Sequence, residues 1–444
     1  MLFHLAGMLI LIEIWGIKKN GHKILVGAIG IVCPVVITMY TFSMMNFAIG
    51  AGYFFIALSV LIFTRARKGL LYLAIIPGIL GIAMYQAFLP TLLAAYLSYI
   101  LLMGMKAEIG LFRRLVQILI ICAGSILGYW GVQQLFQLSN STYLSAYITN
   151  QLSLPGSWSE VLSYGKSMLI QMFRLFSGHE SIYVEKLYAL GIMLFLAGMA
   201  YLVDMVQKDS KVWSKLWSLL LLTGLLVSPF VGGFFMQGNY AVRFLLAYPL
   251  VIAAVVMLGL SSSYRFLRII IGFLAIITLF RFAITDNRLF AANHLVLQAD
   301  RLVASNLTIR IADAKEKAES LEEIKYLEFA GYLDYPETKL IPEIDTFGGS
   351  FFFWDGGSNS RIIYFLRTLG IMDYEVLPGA QRLEAVPLMQ TMPVWPVPDS
   401  VKVVGDVVLI KFGDYSSTQM NDICSGSYEG LALVYQNCLA KFNN

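Results

Sequence analysis

The sequence predicts a polytopic α-helical membrane protein of about ten transmembrane helices with a small C-terminal α/β domain. Of its 444 residues, 58% are hydrophobic and only 14% are charged, whereas soluble proteins carry about 25% charged residues. The charge is also unevenly divided, with 19 basic and 7 acidic residues in 1–283 but 13 and 21 in 284–444. We therefore expect a transmembrane domain over 1–284 and a separate domain over 285–444. This composition excludes a soluble cytosolic enzyme, a disordered protein and a free nucleic-acid binder.

Ten apolar stretches each approach the ~20 residues that a helix needs to cross a bilayer. Because a helix satisfies its own backbone hydrogen bonds, apolar spans of this length are expected to be helical. The stretches are 1–17, 24–41, 44–64, 69–86, 88–105, 115–137, 187–205, 214–236, 244–260 and 268–284.

The basic residues predict the orientation of these spans. Every second connection is rich in Lys and Arg, 14 in all, whereas the connections between them carry only Lys166, Arg174, Lys186 and Arg243. By the positive-inside rule the 14 cations lie in the cytoplasm. The long loop 138–186 and the domain 285–444 then face outward.

The outward loop contains apolar residues at helical spacing between Trp158 and Phe176, with Lys166 and Arg174 among them. This pattern indicates an amphipathic helix that lies in the membrane surface. A plain helix that packs over the bundle explains the same spacing equally well.

Two helices and three strands are predicted in the C-terminal domain. We expect a helix over 289–325, a strand over Ile324–Phe329 and a helix over Ser358–Leu369. The strands Val401–Val404 and Val407–Lys411 form a hairpin through Gly405-Asp406.

The cysteines point to a bridge rather than to a metal site. Cys424 and Cys438 lie fourteen positions apart in the outward domain, where an exported compartment favours a disulfide. The chain has no Cys/His cluster with zinc spacing and no phosphate-binding loop, so we expect no metal and no cofactor.

Chemistry is expected at the outer face of the membrane domain. A carboxylate can take a proton from an attacking hydroxyl, and cations can stabilise a phosphate that leaves. Ordinary solvated loop charges are the alternative. Glu180 is our first choice for the base because it follows His179 in a polar turn near Arg174. Arg243 is the expected phosphate ligand, since its guanidinium presents a planar fork.

Three segments carry a family resemblance. Gly81–Leu89 contains Tyr85 and Gln86, Arg243 precedes an apolar segment that ends at Pro249, and Gly349–Gly357 contains Trp354 and Asp355. Together they resemble the GtrII family of serotype-converting, bactoprenol-linked glucosyltransferases.

The resemblance implies a glycosyltransferase of the bacterial inner membrane that adds glucose to the O-antigen of lipopolysaccharide at the periplasmic face. The outward C-terminal domain would then lie in the periplasm. Its partners would be undecaprenyl-phosphate-glucose as donor, a polysaccharide acceptor and the lipid bilayer. It also implies substrate contacts by Tyr85, Gln86, Trp354 and Asp355, beside those of Arg174, His179, Lys166 and Arg243. Such enzymes usually carry a catalytic acid in the first outward loop. The first outward connection here, near Phe42–Asn46, has none. Two alternatives follow: the chain lacks an N-terminal piece that holds this loop, or it is complete and uses another outward carboxylate.

Two other functions remain open at this point. Another envelope-polysaccharide protein, such as a polymerase or a ligase, would show the same long outward segments. A lipid or solute transporter should carry charges or broken helices at mid-membrane, and the spans contain few such charges.

Overall fold

The computed structural model describes residues 1–40, 45–67, 69–104, 111–140, 155–183, 185–207, 212–234, 242–318, 323–334, 349–427 and 438. The middle of the predicted outward loop and the turn before Arg243 lie outside these ranges. The chain divides into two compact units. The N-terminal unit consists mainly of Met1–Asn287, and the C-terminal unit consists of Arg288–Glu343 and Phe347–Asn444.

Every regular element that the structure describes in the N-terminal unit is a helix. Its helices are α1 Leu2–Ile14, α2 Asn20–Ile31, α3 Pro34–Tyr40, α4 Met45–Arg65, α5 Ile75–Met84, α6 Phe88–Gly104, α7 Leu111–Asn140, α8 Trp158–Phe176, α9 Glu180–Tyr183, α10 Tyr188–Gln207, α11 Val212–Val227, α12 Val231–Phe234, α13 Tyr248–Leu260 and the start of α14, Arg265–Lys317. Short 3-10 turns at Leu70–Ala74, Ser228–Phe230 and Val242–Phe244 precede α5, α12 and α13.

Five described helices are long and apolar enough to cross a membrane: α4, Phe112–Leu138 within α7, α10, Val212–Gly233 and α14. The pair α2 and α3 adds a sixth if the two helices, bent by 53°, form one span. Four further apolar helices are shorter: Leu2–Ile14, Leu70–Met84, Phe88–Met103 and Tyr248–Leu260. The protein is thus a helical membrane protein, and the number of ten spans stays a prediction.

Helix α13 forms the centre of the N-terminal unit. All of its residues from Tyr248 to Leu260 are buried, and it packs against α2, α6 and α10. A helix that is apolar on every side is typical of such a central position. At the outer edge of this core, α1 and α4 approach so closely that a Cβ atom at Gly7 would lie 2.9 Å from the backbone of Tyr53.

Helix α8 occupies the stretch that was predicted to be amphipathic. The Ser157 side chain accepts a hydrogen bond from the Glu160 N–H (3.3 Å), and the Glu160 Oε2 accepts one from the Gly156 N–H (2.8 Å). Side chains of this kind satisfy the free N–H groups of a first turn. Trp158 and Phe173 are 83% and 71% exposed. Apolar exposure on this scale favours the membrane-surface interpretation over a packed helix.

The prediction of a separate helix over 289–325 is wrong about where that helix begins. Helix α14 runs without interruption from Arg265 to Lys317, so it begins in the N-terminal unit and ends in the C-terminal unit. The sequence between the predicted span and the predicted helix contains no Gly or Pro, and nothing there breaks the hydrogen-bond ladder.

The C-terminal unit contains a four-stranded sheet of order β2-β1-β4-β3. Its strands are β1 Tyr326–Ala330, β2 Glu375–Val376, β3 Val401–Val404 and β4 Val407–Lys411, and its helices after α14 are α15 Asn359–Thr368, α16 Gly379–Thr391 and α17 Ser417–Ser427. Strand β1 pairs in parallel with β2 and β4, whereas β3 and β4 form the predicted hairpin. Helices α16 and α17 and strand β2 were not predicted.

A buried ion network holds the helices of the C-terminal unit onto β1. Glu328 on β1 is fully buried; its carboxylate accepts hydrogen bonds from Arg382 Nε (2.9 Å) and Asn359 Nδ2 (2.7 Å). The Nη1 atom of Arg382 also binds Asp422 on α17 (2.7 Å). One carboxylate thereby connects three helices to the central strand.

Candidate active site

Two buried tyrosines connect the end of α8 and the short helix α9 to the central helix α13. The Tyr183 hydroxyl donates to the Tyr248 hydroxyl (2.7 Å), which in turn donates to the Leu175 carbonyl (2.9 Å). Tyr183 also stacks on Phe282 of α14, with ring centroids 6.1 Å apart. Because Tyr248 begins α13, these contacts fix the end of α8 and the short helix α9 against the start of the central helix.

This anchored turn carries three of the predicted site residues. The His179 N–H donates to the Arg174 carbonyl (2.9 Å), and Glu180 begins α9. Arg174 and Glu180 are exposed, and His179 is half-buried. The Glu180 carboxylate lies 3.7 Å from Lys186 Nζ, with each side chain about half exposed. Lys166 is exposed two turns earlier on α8.

Beside this turn lies a cleft of about 220 Å³ between the start of α10 and the helix α14. Its cations are Lys186 and Arg281, and its apolar walls include Leu187, Leu190 and Ile277. Arg281 Nη2 lies 2.7 Å from the Glu185 carboxylate, whose side chain is 17% exposed. Two positive charges beside an apolar wall can receive an anionic head group that carries a hydrocarbon chain.

The two motif segments predicted for substrate binding meet at Tyr53. The Tyr53 hydroxyl donates to the carbonyl of Leu246 (2.5 Å), just after Arg243, and its ring packs edge-on against Phe88 (5.1 Å), just after Gln86. Arg243 is half-buried, with its guanidinium 5.4 Å from the Phe244 ring centre. Gln86 itself donates to the Tyr129 hydroxyl of α7 (2.8 Å).

Asp286 is a candidate that the sequence analysis missed. It is 7% exposed, and its Oδ1 atom has no hydrogen-bond partner among the described residues. It lies close enough to Cys33, at the break between α2 and α3, for the two groups to interact electrostatically. The signal was present in the sequence. Phe282, Asp286 and Leu289 lie at helical spacing on the buried stripe of α14, so the acid interrupts an apolar face.

His4 is a second residue that the sequence analysis missed. Its ring stacks on Tyr53 (4.0 Å), and its Nδ1 atom bonds the Tyr40 hydroxyl (3.0 Å). The Nε2 atom is buried without a partner among the described residues. The sequence predicts an apolar span over 1–17, and a single His near its start forms no pattern that would indicate a function.

The remaining predicted residues belong to the C-terminal unit. Asp355 pairs with Arg361 (2.5 Å) in a turn over Trp354–Gly357. Cys424 and Cys438 form a disulfide, with their sulfurs 1.99 Å apart. Among the described residues no group of His, Cys, Asp and Glu side chains could hold a metal ion.

The apolar helices define a membrane protein, and a cleft with two cations lies between α10 and α14. The family model described as Glucosyl transferase GtrII matches residues 1–279, more than half of the chain. The chain belongs to this family and is a glycosyltransferase. No curated protein and no solved structure matches it significantly. The match ends before Trp354 and Asp355, so their resemblance rests on sequence segments alone.

Proposed function

We propose that this enzyme moves glucose from undecaprenyl-phosphate-glucose to the repeat units of the O-antigen, or a related surface polysaccharide, at the periplasmic face of the inner membrane. The observation that carries this proposal is the cleft of Lys186 and Arg281, next to Glu180. It combines an apolar wall, two cations and a nearby carboxylate, which are the groups needed for a lipid-phosphate donor and an attacking hydroxyl.

The orientation follows from ten spans with their basic connections in the cytoplasm. In that topology the start of α10, the outer part of α14 and the turn with Glu180 share the periplasmic side. The C-terminal unit is then an α/β domain in the periplasm. The exposed apolar face of α8 would lie in the outer leaflet, with Lys166 and Arg174 near the phosphates of anionic lipids.

The donor phosphate would bind between Lys186 and Arg281. The Lys186–Glu180 pair is half exposed and 3.7 Å long, and such pairs contribute at most about 1 kcal/mol. A phosphate diester can therefore take Lys186 at little cost. Its arrival would release the Glu180 carboxylate beside the site, so that donor binding prepares the base.

The transfer is then a single displacement. Glu180 takes the proton from an acceptor hydroxyl while that oxygen forms a bond to C1 of glucose. The bond between C1 and the phosphate oxygen breaks, and undecaprenyl phosphate leaves with its added negative charge between Lys186 and Arg281. Arg243, His179, Tyr85 and Gln86 are proposed to position the sugar and acceptor. Membership of the family favours this function over a polymerase, a ligase or a transporter.

Replacement of Arg281 tests the phosphate site. Arg281→Gln should lower O-antigen glucosylation roughly tenfold to a hundredfold, the value of one lost charge-assisted hydrogen bond. The assay is the mass of the O-antigen repeat from cells with equal amounts of each variant in the membrane. Arg268→Gln, at the cytoplasmic end of the same span, is the matched control and should stay active.

A double variant separates binding from structure, because Arg281→Gln also removes the ion pair between Arg281 and Glu185. If Arg281 binds phosphate, Glu185→Gln with Arg281→Gln stays as inactive as the single variant. Recovery of activity in the double variant would remove Arg281 from the site.

Arg243→Ala is expected to lose glucosylation while the amount of protein in the membrane stays normal. Full activity of this variant would remove Arg243 from the site.

A further inference from the structure

The strand order of the C-terminal unit creates a topological switch point. From β1 the chain crosses to β2 on one side, and β4 pairs in parallel with β1 on the other side. In open sheets with parallel strands, ligands bind outside the carboxyl ends of the strands at the point where the order reverses. Here that point lies where β1 ends at Ala330 and β4 ends at Lys411.

A cavity occupies this position. Its volume is about 270 Å³, and its lining includes Ala330, Lys411, Gly413, Asp414 and Tyr415. The Lys411 side chain is 7% exposed; its ammonium donates to the Gln390 carbonyl (2.8 Å) and lies 3.8 Å from the Asp414 carboxylate. The cavity therefore offers hydrogen-bonding groups whose charges already balance each other.

The turn Trp354–Gly357 closes the same edge of the sheet. The Gln419 amide donates to the carbonyls of Gly331 (3.1 Å) and Gly357 (2.7 Å), which fixes the turn against the end of β1. The Ser416 hydroxyl donates to the Gly356 carbonyl (2.6 Å) and joins the turn to the loop that lines the cavity. These hydrogen bonds hold the turn Trp354–Gly357 next to the loop that lines the cavity.

The platform consists of Trp354, Asp355, Arg361 and Tyr332. Trp354 packs against Phe351 (5.0 Å), and the Arg361 guanidinium lies 5.7 Å from the Trp354 ring centre. The Asp355 side chain pairs with Arg361, and the backbone of Asp355 has a φ angle of +53°. A non-glycine residue in this region is uncommon, and such residues cluster at functional sites. Tyr332, after β1, is 43% exposed.

These groups fit a neutral, hydroxyl-rich ligand. Lys411 lies beside Asp414 and Arg361 pairs with Asp355, so this edge offers hydrogen-bonding groups whose charges balance. Flat aromatic faces suit the C–H surface of a sugar ring, and a carboxylate paired with a guanidinium can exchange hydrogen bonds with neighbouring hydroxyls. We propose that the C-terminal unit binds a hexose unit of the polysaccharide at the β1/β4 edge. That this polysaccharide is the acceptor rests on the proposed function.

Binding of lipid-free O-polysaccharide to the full-length protein in detergent tests this inference. The measured quantity is the dissociation constant, obtained without any glucose donor. Trp354→Ala should weaken binding about tenfold, the value of one good aromatic contact. Asp355→Asn should weaken it several-fold, since Asn keeps the left-handed turn but loses the ion pair with Arg361. Tyr364→Ala removes an exposed aromatic residue of α15 outside this edge and should bind like the parent.

Three outcomes would overturn the inference: no binding by the parent protein, parent-like binding by Asp355→Asn, or an equal loss in Tyr364→Ala. Asp355→Asn decides the matter if Trp354→Ala does not fold. Because the assay contains no donor, a protein that binds polysaccharide but transfers no glucose contradicts only the proposed function.

Discussion

Glu180→Gln is expected to reduce glucosyl transfer by about 10²- to 10⁴-fold, the usual value of a general base. Glutamine keeps the size of the side chain but cannot take the proton of the acceptor hydroxyl. It also breaks the contact with Lys186, which contributes little because both groups are half exposed. The amount of protein in the membrane should therefore stay normal. The measurement is the initial rate of glucose transfer in isolated membranes.

Two further acids make this test selective. Glu160→Gln is the matched control, because Glu160 lies in the same loop but caps α8 through Gly156, and it should stay active. Asp286→Asn tests an alternative base, the buried Asp286 carboxyl, which lies near Cys33. An active Glu180→Gln together with an inactive, well-expressed Asp286→Asn would move the base from Glu180 to Asp286.

Arg382→Ala should destabilise the C-terminal unit by about 3–5 kcal/mol at pH 8, the value for removing one partner of a buried ion pair. Arg382 is 4% exposed, and its loss leaves Asn359 as the one hydrogen-bond partner of the buried Glu328 carboxylate among the described residues. Hydrogen exchange of peptides from this unit in the full-length protein measures the effect. Arg367→Ala, which removes an exposed pair with Asp373, is the matched control and should have little effect.

The destabilisation caused by Arg382→Ala should be larger at high pH than at low pH. Burial raises the pKa of Glu328 to about 7, although Arg382 and Asn359 partly oppose it. The folded state therefore holds this proton more tightly than the unfolded state. The contribution of Glu328 protonation to the free energy of unfolding therefore falls by about 3 kcal/mol as the pH rises from about 4.5 to about 7.

At pH 5 the neutral Glu328 needs no cation, so Arg382→Ala should cost less than at pH 8. Glu328→Gln should remove most of this pH dependence. If Arg382→Ala is equally destabilised at both pH values after correction for intrinsic exchange, Glu328 is ionised throughout and the raised pKa is wrong.

Local patterns in the sequence predicted the elements that depend on local physics. Helix α8 follows from the spacing of Trp158 to Phe176, and the β3/β4 hairpin follows from two short apolar strands around Gly405-Asp406. The two-residue strand β2 was missed because it is too short for an alternating pattern and depends on its pairing with β1. Helix α14 was divided because a change in polarity was interpreted as a break in the backbone.

The candidate site was predicted only in part because it depends on long-range contacts. The sequence indicated Glu180 and Arg243, but it gave no sign that Lys186 and Arg281 line one cleft across two helices. Asp286 was assigned to the outward domain, and its burial becomes clear only once α14 is continuous. Glu328 was considered part of an ordinary strand, because its partners Asn359, Arg382 and Asp422 are far apart in the sequence.

The central claim is that a lipid-phosphate sugar supplies the glucose. The most direct test uses purified protein in proteoliposomes with lipid-linked O-antigen and radiolabelled undecaprenyl-phosphate-glucose. The account predicts that label enters the polysaccharide, that Glu180→Gln abolishes this transfer, and that radiolabelled UDP-glucose does not replace the lipid donor. Transfer from UDP-glucose, with none from the lipid-linked sugar, would contradict it.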